Sequence, residues 1–174
     1  KWKGTPESWI VNSANTRSLG SSFVFDTLTA GIAKWENAAV FNILGDGTET
    51  VSTLVADTVS PDNQNEVYFA DLPDSNTIAV TIVWGVFGGR PSNRQLVEWD
   101  QIYDDATYDW SMLGEADKMD FENIATHELG HSVGMGDLYN STCTNETMYG
   151  YATNGETKKR DLNAGDIMGV NKLY

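Results

Sequence analysis

The amino-acid sequence predicts an α+β fold in which about three helices accompany a five-stranded sheet. Short runs rich in β-branched and aromatic residues are separated by turn sequences such as Ser60-Pro61-Asp62-Asn63. Apolar residues at helical spacing occur in the other segments. Because no Pro- or Ser-rich linker divides the 174 residues, we expect a single domain that covers residues 1–174.

The strand predictions follow from composition and from alternation of apolar and polar residues. Each run is long enough for a strand and is rich in residues that favour a pleated, half-buried surface. The predicted strands are residues 9–11, 51–55, 66–70, 78–86 and 96–103.

The first and last helices are predicted from apolar residues that recur every three or four positions. The first begins after the N-cap candidates Ser21 and Ser22 and ends near Asn37. The last follows Asn163, with Asp166 three residues later as an acidic residue in the first turn. We expect this short helix to close the domain.

The second helix is predicted over residues 121–132, in the segment KMDFENIATHELGHSVG. Asp120 can cap its N-terminus, and Met119 can contact Ile124 as a hydrophobic staple. Gly134 can end the helix, because glycine tolerates the left-handed conformation found at helix C-termini.

Composition excludes several classes of partner. The formal net charge of -14 would repel nucleic acid and anionic membrane surfaces, and no apolar run is long enough to insert into a bilayer. Calcium binding is left open and unassigned, since no Asp/Gly calcium-loop pattern occurs. Cys143 is the only cysteine, so no internal disulfide can form. We also expect the protein to be a monomer.

The two histidines of the chain, His127 and His131, are four residues apart on the second predicted helix. Their side chains therefore share one face and can bind one metal ion, for which zinc is the expected cofactor. Glu128 follows the first histidine and is turned away from the shared ligand direction. It can reach a metal-bound water instead and act as the general base.

A catalytic zinc needs a third protein ligand, and Asp137 is the candidate. It lies three residues beyond Gly134, so the chain can return over the histidines after the helix ends. The alternative interpretation is a loop aspartate, or a residue that orients a histidine without binding the metal.

This segment resembles the His-Glu-x-x-His-x-x-Gly-x-x pattern of metzincin metallopeptidases, whose fixed positions are occupied here by His127, Glu128, His131 and Gly134. Among metzincins, it is most similar to the matrixin-like members. The usual final histidine is replaced by Asp137, as in snapalysin-like metzincins. The resemblance is specific over about residues 99–174 and only architectural before them. It implies a metzincin-like zincin fold whose active-site helix is accompanied by a Met-turn.

Further site residues are implied by this resemblance. Met148 would be the methionine of the Met-turn, packed beneath the metal. The segment Tyr149, Gly150 and Tyr151 would form the wall of the main specificity pocket and favour an apolar substrate residue. Residues 78–86 would form the antiparallel edge strand of a twisted sheet, where an extended substrate adds as a further strand.

The expected activity is therefore zinc-dependent hydrolysis of peptide bonds in extended polypeptides, by an extracellular endopeptidase with protein or peptide substrates. Two alternatives remain open. One is a non-catalytic, zinc-stabilised module that binds peptides, and the other is a processing protease of narrow specificity.

Overall fold

A computed structural model, which describes residues 1–4 and 7–174, shows an α+β fold built on a mixed five-stranded sheet. Strand β4 lies at one edge and pairs antiparallel with β5, whereas the other neighbouring pairs are parallel. The prediction of five strands with one antiparallel edge strand is confirmed. The spatial order is β2-β1-β3-β5-β4, with β1 Glu7–Asn12, β2 Leu44–Glu49, β3 Asn65–Ala70, β4 Ala79–Val86 and β5 Gln95–Asp104.

Three helices cover the sheet: α1 (Ser21–Ala39), α2 (Phe121–Ser132) and α3 (Ala164–Leu173). Their apolar faces form one core with inward-facing strand residues such as Trp9 and Trp99, which are almost fully buried. A short parallel pair, β6 (Trp110–Ser111) with β7 (Met119–Asp120), leads directly into α2. Within the described ranges, no helix is long and apolar enough to cross a membrane.

The predicted strand over residues 51–55 is wrong. The second strand is β2, which pairs with β1, whereas Val51 is 99% and Val55 is 71% exposed in the connection that follows it. Strand β2 was not predicted because it contains Gly45 and Gly47, and glycine is unfavourable in strands. They are required by packing: a Cβ on Gly47 would lie 2.3 Å from the Trp9 ring.

The N-cap assignment of α1 is also corrected. Gly20 occupies the cap position without a side-chain hydrogen bond, and Ser21 is the first helical residue. The helix continues to Ala39, two residues beyond the predicted end, before Val40 adopts a left-handed conformation with φ 53°. At α3 the prediction agrees with the structure, because the Asp166 carboxylate accepts a hydrogen bond from the Asn163 backbone N–H at 2.9 Å.

Candidate metal centre and cleft

A cleft of about 560 Å³ lies between the edge strand β4 and helix α2. Thr81 lines it from β4, and the chain segment after α2 lines it from the other side. The cleft brings together the residues that the sequence singled out, namely His127, Glu128, His131 and Asp137.

Both ends of α2 are fixed by short-range hydrogen bonds. The Asp120 carboxylate caps the N-terminus by accepting a hydrogen bond from the Asn123 N–H at 2.9 Å, as predicted. At the other end, Gly134 has a φ of 102°, a conformation that favours glycine. The Met135 N–H donates to the Gly130 carbonyl at 2.9 Å, which completes a Schellman motif. The chain therefore turns back toward the helix after Gly134.

This turn places Asp137 against the two histidines. Its Oδ1 atom lies 3.2 Å from Nε2 of His127 and 3.5 Å from Nε2 of His131. The two imidazole rings are nearly perpendicular, with centroids 4.9 Å apart. One ligand atom from each of the three residues lies within 4.8 Å of the others.

The opposite ring nitrogens are held by backbone carbonyls. Nδ1 of His127 lies 2.7 Å from the Thr147 carbonyl oxygen, and Nδ1 of His131 lies 3.0 Å from that of Met135. Because a carbonyl only accepts, each Nδ1 carries a proton, so Nε2 of each ring is the nitrogen whose lone pair can bind a metal ion when the ring is neutral. Both Nε2 atoms and a carboxylate oxygen of Asp137 therefore converge on one point, where they could hold a metal ion.

The separations suit a tetrahedral metal ion. Bonds of about 2.1 Å to a tetrahedral zinc give ligand-to-ligand edges of about 3.4 Å. The two Nε2–Oδ1 distances, 3.2 Å and 3.5 Å, bracket that edge. The donor set of two imidazoles and one carboxylate is also one that zinc accepts in catalytic sites.

The electrostatics of the ligand group favour binding of a cation. Hydrogen bonds with His127 and His131 hold the pKa of the Asp137 carboxyl well below its usual range. Burial lowers the pKa of His131, but the hydrogen bond with Asp137 and the charge of Glu128 outweigh it, so this pKa is raised. The group therefore carries a negative charge that attracts a proton or a metal ion.

Glu128 lies apart from the three converging donors. Its side chain is buried, and its Oε2 atom accepts a hydrogen bond of 2.6 Å from the Thr81 hydroxyl. The residue belongs to α2, so its position relative to the histidines is fixed by the helix, while β4 fixes its carboxylate. Glu128 therefore lines the cleft together with the two histidines.

The matrixin family model matches residues 7–174, which is nearly the whole chain. The chain belongs to the matrixin family. Its sequence is 42% identical over 71 residues to human matrilysin, covering 41% of this chain and 24% of that protein. It is 43% identical over 56 residues to metalloendoproteinase 1-MMP of Arabidopsis thaliana, covering 32% of this chain and 14% of the relative.

The matched segments therefore span a quarter or less of these two relatives. Rat matrilysin shows a similar match, 38% identical over 61 residues and 22% of its length. The family assignment, and the name metalloendoproteinase carried by the plant relative, point to a metalloprotease at the level of the family.

Met148 of this matrixin is fully buried beneath α2. A Cβ atom on Gly130 would lie 2.2 Å from the Met148 sulfur and 2.7 Å from the Trp35 ring. Glycine at this position of the helix is thus what allows the methionine to approach. The segment is held by Asp166, whose carboxylate accepts hydrogen bonds from the N–H groups of Thr147 at 2.7 Å and Met148 at 3.1 Å.

We therefore expect Gly130→Ala to destabilise the fold by about 1–3 kcal/mol, because the added methyl group overpacks the contact with Met148. Thermal denaturation followed by circular dichroism measures this effect. Gly136→Ala is the matched control, since a Cβ atom on Gly136 would meet no atom of another segment within 4 Å. Equal stability of the two variants would show that the close packing under α2 is not required.

Only two of the three predicted pocket residues line the cleft. Gly150 and Tyr151 line the cleft, whereas Tyr149 is absent from the lining among the described residues. The Tyr149 ring packs against that of Tyr151, with centroids 5.7 Å apart. Lys159, almost fully buried, donates hydrogen bonds from Nζ to the carbonyls of Tyr149 and Tyr151 and thereby fixes this wall.

Three residues near the site were missed by the sequence reasoning: Thr81, Tyr139 and Lys159. The Tyr139 hydroxyl donates to Oδ2 of Asp137 at 3.0 Å, which orients the other carboxylate oxygen toward the histidines. Thr81 could have been noticed as a polar residue within an apolar strand. Nothing in the sequence near Lys159 distinguishes it from the charged residues beside it.

Proposed function

We propose that this matrixin is a zinc-dependent endopeptidase in which His127, His131 and Asp137 hold the metal and Glu128 is the general base and acid. The observation that carries the proposal is the convergence of three electron-pair donors, at 3.2 Å and 3.5 Å, next to a buried carboxylate in an open cleft. A purely structural zinc site would instead have four protein ligands and no such cleft.

Zinc, when bound there, supplies a Lewis acid that polarises the peptide carbonyl and makes a water molecule more acidic. Glu128 accepts the proton of the attacking water and later delivers it to the departing amine. The Thr81 hydroxyl holds one carboxylate oxygen of Glu128 and leaves the other free for this transfer. Met148 supports the ligand helix from below.

The edge strand β4 offers a binding surface for the substrate backbone. It is the last strand of the sheet order, and its residues line the cleft. An extended polypeptide can therefore pair with β4 through main-chain hydrogen bonds, while side-chain pockets supply selectivity. This mode favours unfolded or extended segments. An apolar preference, a monomeric state and an extracellular location stay predictions from the sequence.

Thr81→Val tests the positioning of the base, because valine keeps the shape of threonine and removes the hydroxyl. We expect kcat to fall about tenfold with KM little changed, since one hydrogen bond to a charged group is lost. Steady-state kinetics on a fluorogenic peptide measure both constants. A variant with wild-type kcat would show that this contact does not position Glu128.

The activity itself is tested by incubating zinc-loaded protein with casein, an unstructured substrate, and identifying the fragments by mass spectrometry. We expect cleavage that disappears when zinc is removed and returns when it is restored. Tight peptide binding without hydrolysis would contradict the proposal and support the non-catalytic binding module. Cleavage restricted to one partner protein would support the narrow processing protease.

A further inference from the structure

Tyr139 is a large aromatic residue that stays exposed at the rim of the cleft. Its side chain lines the cleft beside Asp137, yet the residue is 62% exposed. Its hydroxyl donates a hydrogen bond of 3.0 Å to Oδ2 of Asp137. An exposed ring gains little from burial of apolar surface, so the polar contact with the candidate metal ligand is the notable feature of this side chain.

The residue before Tyr139 is paired with the segment that carries Met148. The Leu138 N–H donates to the Met148 carbonyl at 2.8 Å, and the Gly150 N–H donates to the Leu138 carbonyl at 3.0 Å. These bonds form a short parallel bridge between Leu138 and Tyr149. The backbone next to Tyr139 is therefore held in place, whereas its exposed side chain can change rotamer rapidly.

The ring of Tyr139 lies against the backbone of Gly150. A Cβ atom at Gly150 would lie 2.5 Å from Cε1 and 2.9 Å from Cζ of the ring, which is closer than non-bonded atoms normally approach. A larger side chain at this position would push the ring away from Asp137. Gly150 thus makes room for the phenol beside the three converging donors.

Asp137 links the phenol to the point where those donors converge. Its Oδ2 atom accepts the hydrogen bond from Tyr139, while its Oδ1 atom lies 3.2 Å and 3.5 Å from the two Nε2 atoms. The hydroxyl is thus separated from the point of convergence by a single carboxylate group. A substrate carbonyl at that point is within reach of the phenol when the ring rotates.

Two other hydrogen-bond donors of the cleft have partners that hold them in place. The Thr81 hydroxyl donates to Glu128 at 2.6 Å, and Nζ of Lys159 donates to two backbone carbonyls. The Tyr139 hydroxyl differs, because its acceptor is a carboxylate whose charge a bound metal ion would partly neutralise. Among these three donors, it is the one most easily released toward a new negative charge.

We propose that Tyr139 is a further catalytic residue, whose hydroxyl stabilises the oxyanion of the tetrahedral intermediate; this inference rests on the proposed function. Attack on a peptide bond places negative charge on the former carbonyl oxygen, and a donor aimed at that charge stabilises the transition state. The hydroxyl leaves Oδ2 of Asp137 and donates to the oxyanion, since a fully charged oxygen is the stronger acceptor. The phenol keeps its proton throughout, so Glu128 remains the group that transfers protons.

Tyr139→Phe tests the proposal, because phenylalanine keeps the ring and removes the hydroxyl. With zinc well above its Kd and zinc content verified, kcat on a fluorogenic peptide should fall about 10²-fold. KM should stay within about twofold, since the interaction forms only in the transition state. Tyr108→Phe is the matched control: it removes a hydroxyl that donates to the Ser75 carbonyl at 3.2 Å, and Tyr108 is not among the described residues that line the cleft.

Binding of a phosphinic peptide provides a readout that is independent of turnover. Its tetrahedral phosphorus carries oxygen atoms in the arrangement of the intermediate, so its affinity reports transition-state complementarity. Calorimetry should show a Kd about 10²-fold higher for Tyr139→Phe and an unchanged Kd for Tyr108→Phe. If Tyr139 only oriented Asp137, its loss would weaken zinc binding, and excess zinc would restore both kcat and the affinity for the phosphinic peptide.

The outcomes separate this inference from the proposed function. Wild-type kcat, or wild-type affinity for the phosphinic peptide, in fully zinc-loaded Tyr139→Phe would overturn the role of Tyr139 and leave the endopeptidase activity intact. Absence of peptide cleavage by the wild-type protein would instead overturn the proposed function, and the role of Tyr139 with it.

Discussion

The Glu128→Gln variant is expected to lose at least about 10²- to 10⁴-fold in kcat, the range typical of a general acid and base. Glutamine keeps the size of the side chain and can still accept the hydrogen bond from Thr81, but it cannot take a proton from water. Since Glu128 is not among the three converging donors, zinc should stay bound. Kinetics on a fluorogenic peptide, together with metal analysis of the same sample, measure both effects.

Glu122→Gln is the matched control on the same helix. Glu122 lies in the first turn of α2, where it pairs with Lys34 at 2.8 Å, away from the converging ligands. Its replacement should leave kcat within about twofold of wild type, because surface ion pairs contribute little. Full activity in the Glu128 variant would remove that residue from the mechanism.

Asp137→Ala is expected to have the second largest effect, on zinc affinity. Loss of a residue that hydrogen-bonds to a metal ligand typically weakens metal affinity about 10–100-fold. Loss of a direct ligand should therefore weaken zinc binding by more than that. The two histidines would remain without the negative charge that now lies 3.2 Å and 3.5 Å from them. Competition with a zinc-binding dye measures the affinity, and an unchanged affinity would show that Asp137 is not a ligand.

Two further variants separate the roles of Asp137. Tyr139→Phe removes the hydroxyl that donates to Oδ2 of Asp137, and should reduce zinc affinity only about tenfold. Asp137→His should keep zinc and shift the activity profile to lower pH. A carboxylate cancels one charge of the ion, so a centre with three neutral histidines is a stronger Lewis acid.

Helix α2 could be predicted because the sequence features that mark it lie close together in the chain. The Asp120 cap, the spacing of His127 and His131, and Gly134 all lie within one short segment, and helical geometry converts that spacing into a shared face. The position of Asp137 also followed from local structure, since the Schellman motif at Gly134 turns the chain back. The sequence could not show that the carboxylate lies near both Nε2 atoms.

Contacts between distant segments escaped prediction. Thr81 lies 47 residues before Glu128, and the Thr147 carbonyl lies 20 residues after His127. Strand β2 was missed for a related reason, because the Trp9 ring that requires Gly47 belongs to another strand.

The zinc K-edge absorption spectrum of zinc-loaded protein, with the metal content of the sample, tests the central claim most directly. Our account predicts one tightly bound zinc per chain at the cleft, with two imidazole nitrogens and oxygen ligands that include a carboxylate. In the Asp137→Ala variant the carboxylate contribution should disappear. A shell without imidazole, or an unchanged spectrum in that variant, would contradict the assignment of His127, His131 and Asp137 as the metal ligands.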